Sequence, residues 1–349
     1  MVRTLSLWSA GVVSLVLALE LLCRLLPVST STETGYYTDP LILTYPSRHR
    51  WVASTGWDLR NAQTLRANNL GYPADRDFVR DERAVALIGD SFVEASMLPA
   101  ADRPGAQLAQ MLGTRPVYAM GAPGTALLDY AERIRYAHEK LGVRDFVVLM
   151  ERGDVKQSLC GSGNVHGPCL DPKTLAPRIA TLPPPGTAKR WLRHSALAQY
   201  LASQLRVTPQ ALLDQLKPKW LQAPHATAQP VAVPADTAVL TDSAKHEIDT
   251  VVTTFFERIK PHVQGKLVVV LDSDRVAMYT GQLKPDPARQ RFINLARGVG
   301  ALVVDTEPIF ATHLAQSPLR LDVGPYDGHL NALGVELVAR SASAELIKP

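Results

Sequence analysis

The apolar run Ala84-Val85-Ala86-Leu87-Ile88 ends on Gly89-Asp90-Ser91, which sets a hydroxyl at the tip of a buried segment. A serine hydroxyl is a weak nucleophile unless a base takes its proton and a further group fixes that base. The required types stand far along the chain, in Tyr326-Asp327-Gly328-His329-Leu330. His329 would act as base, and Asp327, two residues earlier, would orient the imidazole. Asp322 is a second carboxylate that could take that role. Asp and Ser are also ordinary helix-capping residues, so the chemistry depends on His329 reaching Ser91.

The surrounding pattern says how they could meet. Short apolar runs at 84–88, 116–120, 145–150, 266–272 and 301–305 alternate with amphipathic stretches near 103–113, 125–141, 284–298 and 307–316. A closing helix is expected over 331–346, with Asn331 placed to cap it. This alternation predicts an α/β fold, a three-layer sandwich on a five-stranded parallel sheet. Loops leaving the carboxyl ends of parallel strands share one edge of the sheet. Ser91 and the Asp327–His329 loop would both lie there.

The 349 residues are 46% hydrophobic and 20% charged, as expected of a globular chain with a sizeable core. A net charge of +4 comes from scattered Lys and Arg without a basic stripe, so no nucleic-acid partner is expected. Residues 1–27 read as a membrane anchor or signal segment, 28–82 as an N-terminal extension, and 83–155 and 246–349 as the two parts of the core. Between them, 156–245 reads as a helical and Pro-rich insertion. It holds two helical patterns, AKRWLRHSALAQYLASQL and TPQALLDQLKPKWL. Trp191, Leu192, Leu197, Tyr200 and Leu201 recur at near-helical spacing there and call for a packing partner. The insertion is either a subdomain with flexible borders or a wall over the site.

Leu5 to Leu19 is apolar without interruption, and Glu20 and Arg24, four apart, can pair at the far membrane interface. Arg3 favours a cytoplasmic N-terminus with the remainder exported. Cleavage near Val28-Ser29-Thr30-Ser31 is the alternative. Export suits a disulfide between Cys160 and Cys169. His166 between them completes only three metal-ligand types at an unsuitable spacing, so no metal is expected. Cys23 reads as a membrane-helix residue.

Taken together, GDSFVEAS after an apolar strand, the glycine turn in YAMGAPGTALLDY and DGHLNALG near the C-terminus resemble the SGNH (GDSL-type) hydrolases. The preceding NNLGYPADRDF resembles a stretch of bacterial envelope members that carry one N-terminal membrane segment. The resemblance covers roughly residues 66–154 and 266–345 and leaves the insertion unmatched. It implies an SGNH/flavodoxin-like sheet, Ser91 as nucleophile, His329 as base and Asp327 as its orienting group. It also implies an oxyanion hole built from the Ser91 N–H, the Gly124 N–H and a side-chain donor, with Gly121 permitting the turn. The family's Gly-x-Asn-Asp is replaced by Glu151-Arg152-Gly153-Asp154, so glycine stands at the asparagine position and Arg152 is the substitute donor. The two-residue Asp-x-His spacing is also tighter than the family's usual one.

The implied activity is cofactor-free ester chemistry at Ser91: an O-acetyl esterase or O-acetyltransferase acting on an extracytoplasmic polysaccharide or other acylated glycan. The implied setting is the bacterial inner membrane, single-pass, with a periplasmic domain beside envelope polysaccharide machinery. Two other readings remain open: a lipid or general carboxylesterase, and a catalytically silent glycan-binding or assembly protein, for which Gly153 speaks.

Overall fold

A computed structural model describes residues 2–30, 33–162, 167–184, 186–207 and 240–348. His166 and the pattern at 208–221 lie outside them, as does the second Pro-rich stretch. The chain divides into two compact units. The larger comprises Glu33–Arg50, Arg66–Pro183 and Ala238–Pro349; the smaller comprises Met1–Thr32, Trp51–Leu65 and Pro184–Thr237.

The larger unit is built on five parallel strands: β1 (Val85–Gly89), β2 (Val117–Gly121), β3 (Asp145–Met150), β4 (Leu267–Leu271) and β5 (Leu302–Asp305). Their order is β5-β4-β3-β1-β2, and every pairing is parallel. This is the flavodoxin-like order, in which the chain changes direction across the sheet at β1 and β3. Each strand is apolar on both faces because each face is covered. Ala86, Ile88, Phe146, Val148 and Val269 meet the layer of helices Leu127–Leu141, Asp242–Ile259 and Pro287–Gly298. The alternate residues Val85, Leu87, Val147, Leu149 and Val268 meet Leu108, Phe310, Val335 and Val338 of the opposite layer. Burying a side chain of this size is worth about 1.5–3 kcal/mol, so the strand alternation fixes both layers.

The segment 156–183 contains a hairpin, Gly167–Leu170 against Pro177–Ala180, rather than helix alone. Cys169, on its first strand, is joined to Cys160 by a disulfide with a Cα separation of 5.2 Å. In the smaller unit, the helix Val2–Leu25 includes Ser6–Leu25, long and apolar enough to cross a membrane. The helical pattern beginning at 188 is realised in pieces, Thr187–Leu192, Ala196–Gln199 and Tyr200–Gln204. Trp191 and Leu192, for which a packing partner was expected, are exposed.

Candidate active site

Ser91 begins a short helix, Ser91–Glu94, directly after β1. The turn is held from both sides. Asp90 accepts the Phe92 N–H at 2.8 Å, and the buried Arg133 guanidinium donates to the Gly89 carbonyl at 2.7 Å. Two glycines permit the tightness. A Cβ on Gly89 would lie 2.5 Å from the Val93 side chain and 2.7 Å from the Leu149 carbonyl; one on Gly121 would meet the Glu94 nitrogen at 2.4 Å. Gly124 lies in the next loop with φ +70°, a backbone region that suits glycine.

The partner loop descends from Leu321 to Asn331. Asn331 caps the last helix, Ala332–Ile347, by accepting the Gly334 N–H at 2.9 Å. Val323 N–H donates to the His329 carbonyl at 2.9 Å and Gly324 N–H to the Asp327 carbonyl at 2.7 Å. His329 Nε2 stands 2.8 Å from Ser91 Oγ, although 238 residues separate them. Asp327 Oδ1 lies 2.5 Å from His329 Nδ1 and also accepts the His329 backbone N–H at 2.9 Å. A carboxylate accepts only, so Nδ1 carries the proton and Nε2 offers its lone pair to the hydroxyl. Burial disfavours the charged imidazole, but Asp327, aided by Asp90 and Glu94, outweighs it and raises His329 above its ordinary pKa. Asp327 is itself held low: burial opposes this, and the His329 contacts prevail.

The remaining sequence candidates, Asp322 and Arg152, are engaged elsewhere. Asp322 is engaged by Arg275 at 2.5 Å. Asp274 caps the helix Arg275–Tyr279 through the Ala277 N–H and pairs with Arg152 at 2.7 Å. Arg152, the expected substitute donor, is therefore already ion-paired. The volume that a side chain at 153 would fill is also taken: a Cβ there would lie 2.5 Å from Gln157 Nε2 and 2.7 Å from Glu151 Oε2. Glu151 accepts the Gly153 N–H at 2.5 Å and the Gln157 amide at 3.3 Å. Gln157, whose side-chain amide lies in that volume, is a residue that motif reading missed, since it lies outside the four-residue block.

Arg275 is the second residue missed. Its buried guanidinium pairs with Asp272 and Asp322 and donates to the Gly328 carbonyl, immediately before His329. It also lies over the Phe92 ring at 5.6 Å, and that ring packs on the His329 imidazole at 4.7 Å. One cation thus ties the His329 loop to the residue after Ser91. Beneath the site lie buried acids. Burial pushes Glu94, which accepts from Tyr45 Oη at 3.2 Å, up to about 7. Burial, then Asp90 and Glu151, drives Asp154 well above the carboxylate range. Asp154 accepts from Tyr130 Oη at 3.0 Å and from the Glu151 N–H at 2.9 Å. Among the described residues no cluster of His, Cys, Asp and Glu is arranged to hold a metal. A cavity of about 740 Å³ lies away from the triad, at the amino ends of β4 and β5 beside Lys266 and Leu302.

No family model and no curated protein matches the chain. Solved structures similar to it include a lipolytic G-D-S-L family protein from Veillonella parvula. That alignment has 11% identity, covers 76% of this chain and 97% of the other, and has a TM-score of 0.38. The periplasmic domain of a lipopolysaccharide acetyltransferase from Salmonella ser. Paratyphi A aligns at 11% identity, 78% and 86% coverage and a TM-score of 0.37. A carbohydrate esterase family 2 enzyme with a carbohydrate binding domain from Corynascus thermopiles aligns at 11% identity, 81% and 70% coverage and a TM-score of 0.35.

Proposed function

We propose that this chain is an SGNH-type serine esterase or O-acyltransferase that works on acylated glycans outside the cytoplasm. The observation carrying the reading is the Ser91–His329–Asp327 chain of hydrogen bonds, at 2.8 and 2.5 Å. In this reading Ser91 Oγ attacks the ester carbonyl as its proton passes to His329 Nε2. The tetrahedral oxyanion is received by the Ser91 and Gly124 N–H groups and by a side-chain donor from the 151–157 loop, Arg152 or Gln157. Collapse breaks the ester C–O bond, and the departing sugar oxygen takes the proton from His329. The acyl-serine then passes its acyl group to water or to a second hydroxyl, whose proton returns through His329. Both outcomes use the same groups; only the exclusion of water from the acyl-serine separates them.

The helix Val2–Leu25 supports a single inner-membrane anchor with the catalytic unit in the periplasm, and the Cys160–Cys169 bridge fits that compartment. Acetyl is the acyl group this reading favours, and a polysaccharide its carrier. A second reading, a catalytically silent glycan-binding protein, draws on Gly153 and on the carboxylate that stands beside it.

The two separate in one assay. The full chain in detergent should hydrolyse a short aryl ester and label at Ser91 with a fluorophosphonate. Ser91→Ala should remove both, with at least about a 10⁴-fold loss of kcat. Equal turnover in the wild type and the variant would end the serine mechanism, and an inert, unlabelled wild type would favour the silent reading.

A further inference from the structure

The smaller unit contains a feature that the ester chemistry leaves unused. Glu20 lies on the apolar helix about a turn and a half before its end, where a bare carboxylate in a bilayer would be costly. It is fully engaged. Oε1 accepts from Arg24 Nε at 2.7 Å and from the Ala196 N–H at 3.0 Å; Oε2 accepts from Ser195 Oγ at 2.8 Å and the Leu197 N–H at 2.9 Å. Arg24 donates in turn to the His194 carbonyl at 3.1 Å. Residues 194–197 are therefore pinned to the membrane helix within about 8 Å of its exit end, at 1.5 Å per residue.

The pinned segment extends into a wider collar. Tyr200 Oη donates to the Trp57 carbonyl at 2.8 Å, and Gln204 Nε2 to Ser54 Oγ at 3.2 Å. This ties the hairpin Arg50–Thr55/Arg60–Arg66 to the same helices. The collar turns its largest apolar groups outward: Trp191 is 74% exposed, Trp57 61% and Leu192 57%. Leu21, Leu22 and Leu25, on the last turns of the membrane helix beside the pinned Glu20 and Arg24, are also exposed. Tryptophan is favoured at the membrane–water boundary, where an apolar ring and a polar N–H are both satisfied.

We propose that Trp57, Trp191 and Leu192 form an interfacial platform that beds into the headgroup region of a phospholipid bilayer. Glu20 and Arg24 act as the clasp joining platform to span. The occupant is the lipid surface because the exposed apolar groups continue those of the span, and the clasp fixes them at the depth where the span leaves the bilayer. This rests on the anchored reading of residues 2–25. The function it adds is to hold the smaller unit flat against the membrane rather than on a free stalk.

The test uses the full chain in vesicles of phosphatidylethanolamine and phosphatidylglycerol, with and without bromine-labelled acyl chains that quench indole emission. The Trp191 emission is the difference between wild type and Trp191→Phe. The Trp8 emission, from the other end of the span, is the difference between wild type and Trp8→Phe. Bedding by 5–10 Å should quench roughly half of the Trp191 emission, more strongly with shallow than with deep bromines. Quenching of Trp8 without quenching of Trp191 overturns the platform and leaves the anchor standing. Quenching of neither overturns the anchored reading itself, and the platform with it.

Discussion

Two loops at the carboxyl edge of the sheet contrast sharply: the one after β1, carrying Ser91, and the one after β3, carrying Glu151 to Asp154. The first holds a hydroxyl in contact with a base and fixes its own turn through Asp90 and Arg133. The second holds Gly153 between a glutamate and a glutamine, with its nearby arginine paired to Asp274. In the proposed mechanism the proton-transfer groups are thus in contact, while the side-chain donors for the oxyanion, Arg152 and Gln157, already have partners. Acidic residues underlie both loops, yet burial raises Asp90 and Asp154.

The proton-transfer half should break hardest. Asp327→Asn keeps the shape but removes the charge that fixes Nδ1–H, and kcat for an aryl acetate should fall by about 10³–10⁴. The pH dependence has a definite sign. His329 acts as base only when neutral, so activity is present above its pKa and lost as pH falls through it. Because Asp327 raises that pKa above the ordinary 6.5, the acid limb of kcat/KM should lie above 6.5 in the wild type. The residual activity of Asp327→Asn should have its limb at lower pH. An identical limb in both proteins would mean that Asp327 does not tune the base.

The charge-stabilising half should be sharpened by a pair of substitutions. Losing one oxyanion donor costs about 10²–10³ in kcat. Gln157→Ala is expected to approach that loss, because its amide occupies the space of the missing asparagine. Arg152→Ala should cost about tenfold, since the guanidinium must first leave Asp274. The reverse ranking would assign the donor to Arg152. No loss at either would leave the two backbone N–H groups alone at the oxyanion and strengthen the silent reading.

How much of this was legible follows from where the information lies. All five strands were readable because each is a short apolar run between turn residues, and five helices because their stripes are periodic. The helix Asp242–Ile259 was missed: its central Val-Val-Thr-Thr-Phe-Phe is β-branched and aromatic, which locally favours strand. The hairpin Arg50–Thr55/Arg60–Arg66 was missed because its second strand is mostly exposed and carries no apolar alternation. Ser91, Asp327 and His329 could be named from their types, and the parallel sheet supplied the reason for them to meet. Gln157 and Arg275 could not be named, because nothing in the spacing of a Gln or an Arg announces a contact with Gly153 or Gly328. Their roles exist only in three dimensions. Trp191 taught the opposite lesson: its apolar stripe called for a packing partner, and it is exposed.

An effect as small as that at Arg152 is expected for the cation that joins the Ser91 and His329 loops. Arg275 touches neither hydroxyl nor imidazole; it holds the Gly328 carbonyl and the Phe92 ring, so it positions His329 through other groups. Replacing Arg275 would strand Asp272 and Asp322, and an unpaired buried charge destabilises by about 3–5 kcal/mol, which would confuse folding with catalysis. Phe92→Leu separates them. It leaves all three Arg275 contacts to Asp272, Asp322 and Gly328 in place and removes only the ring between guanidinium and imidazole. A base displaced by a fraction of an ångström should slow kcat by about tenfold at nearly constant KM, with the melting temperature little changed. Arg275→Lys should regain part of the activity lost in Arg275→Met, since a cation remains for the two aspartates. If Phe92→Leu lowers stability and leaves kcat intact, Arg275 and Phe92 serve the fold alone, and the His329 loop is held by its own hydrogen bonds to Asp327 and Val323.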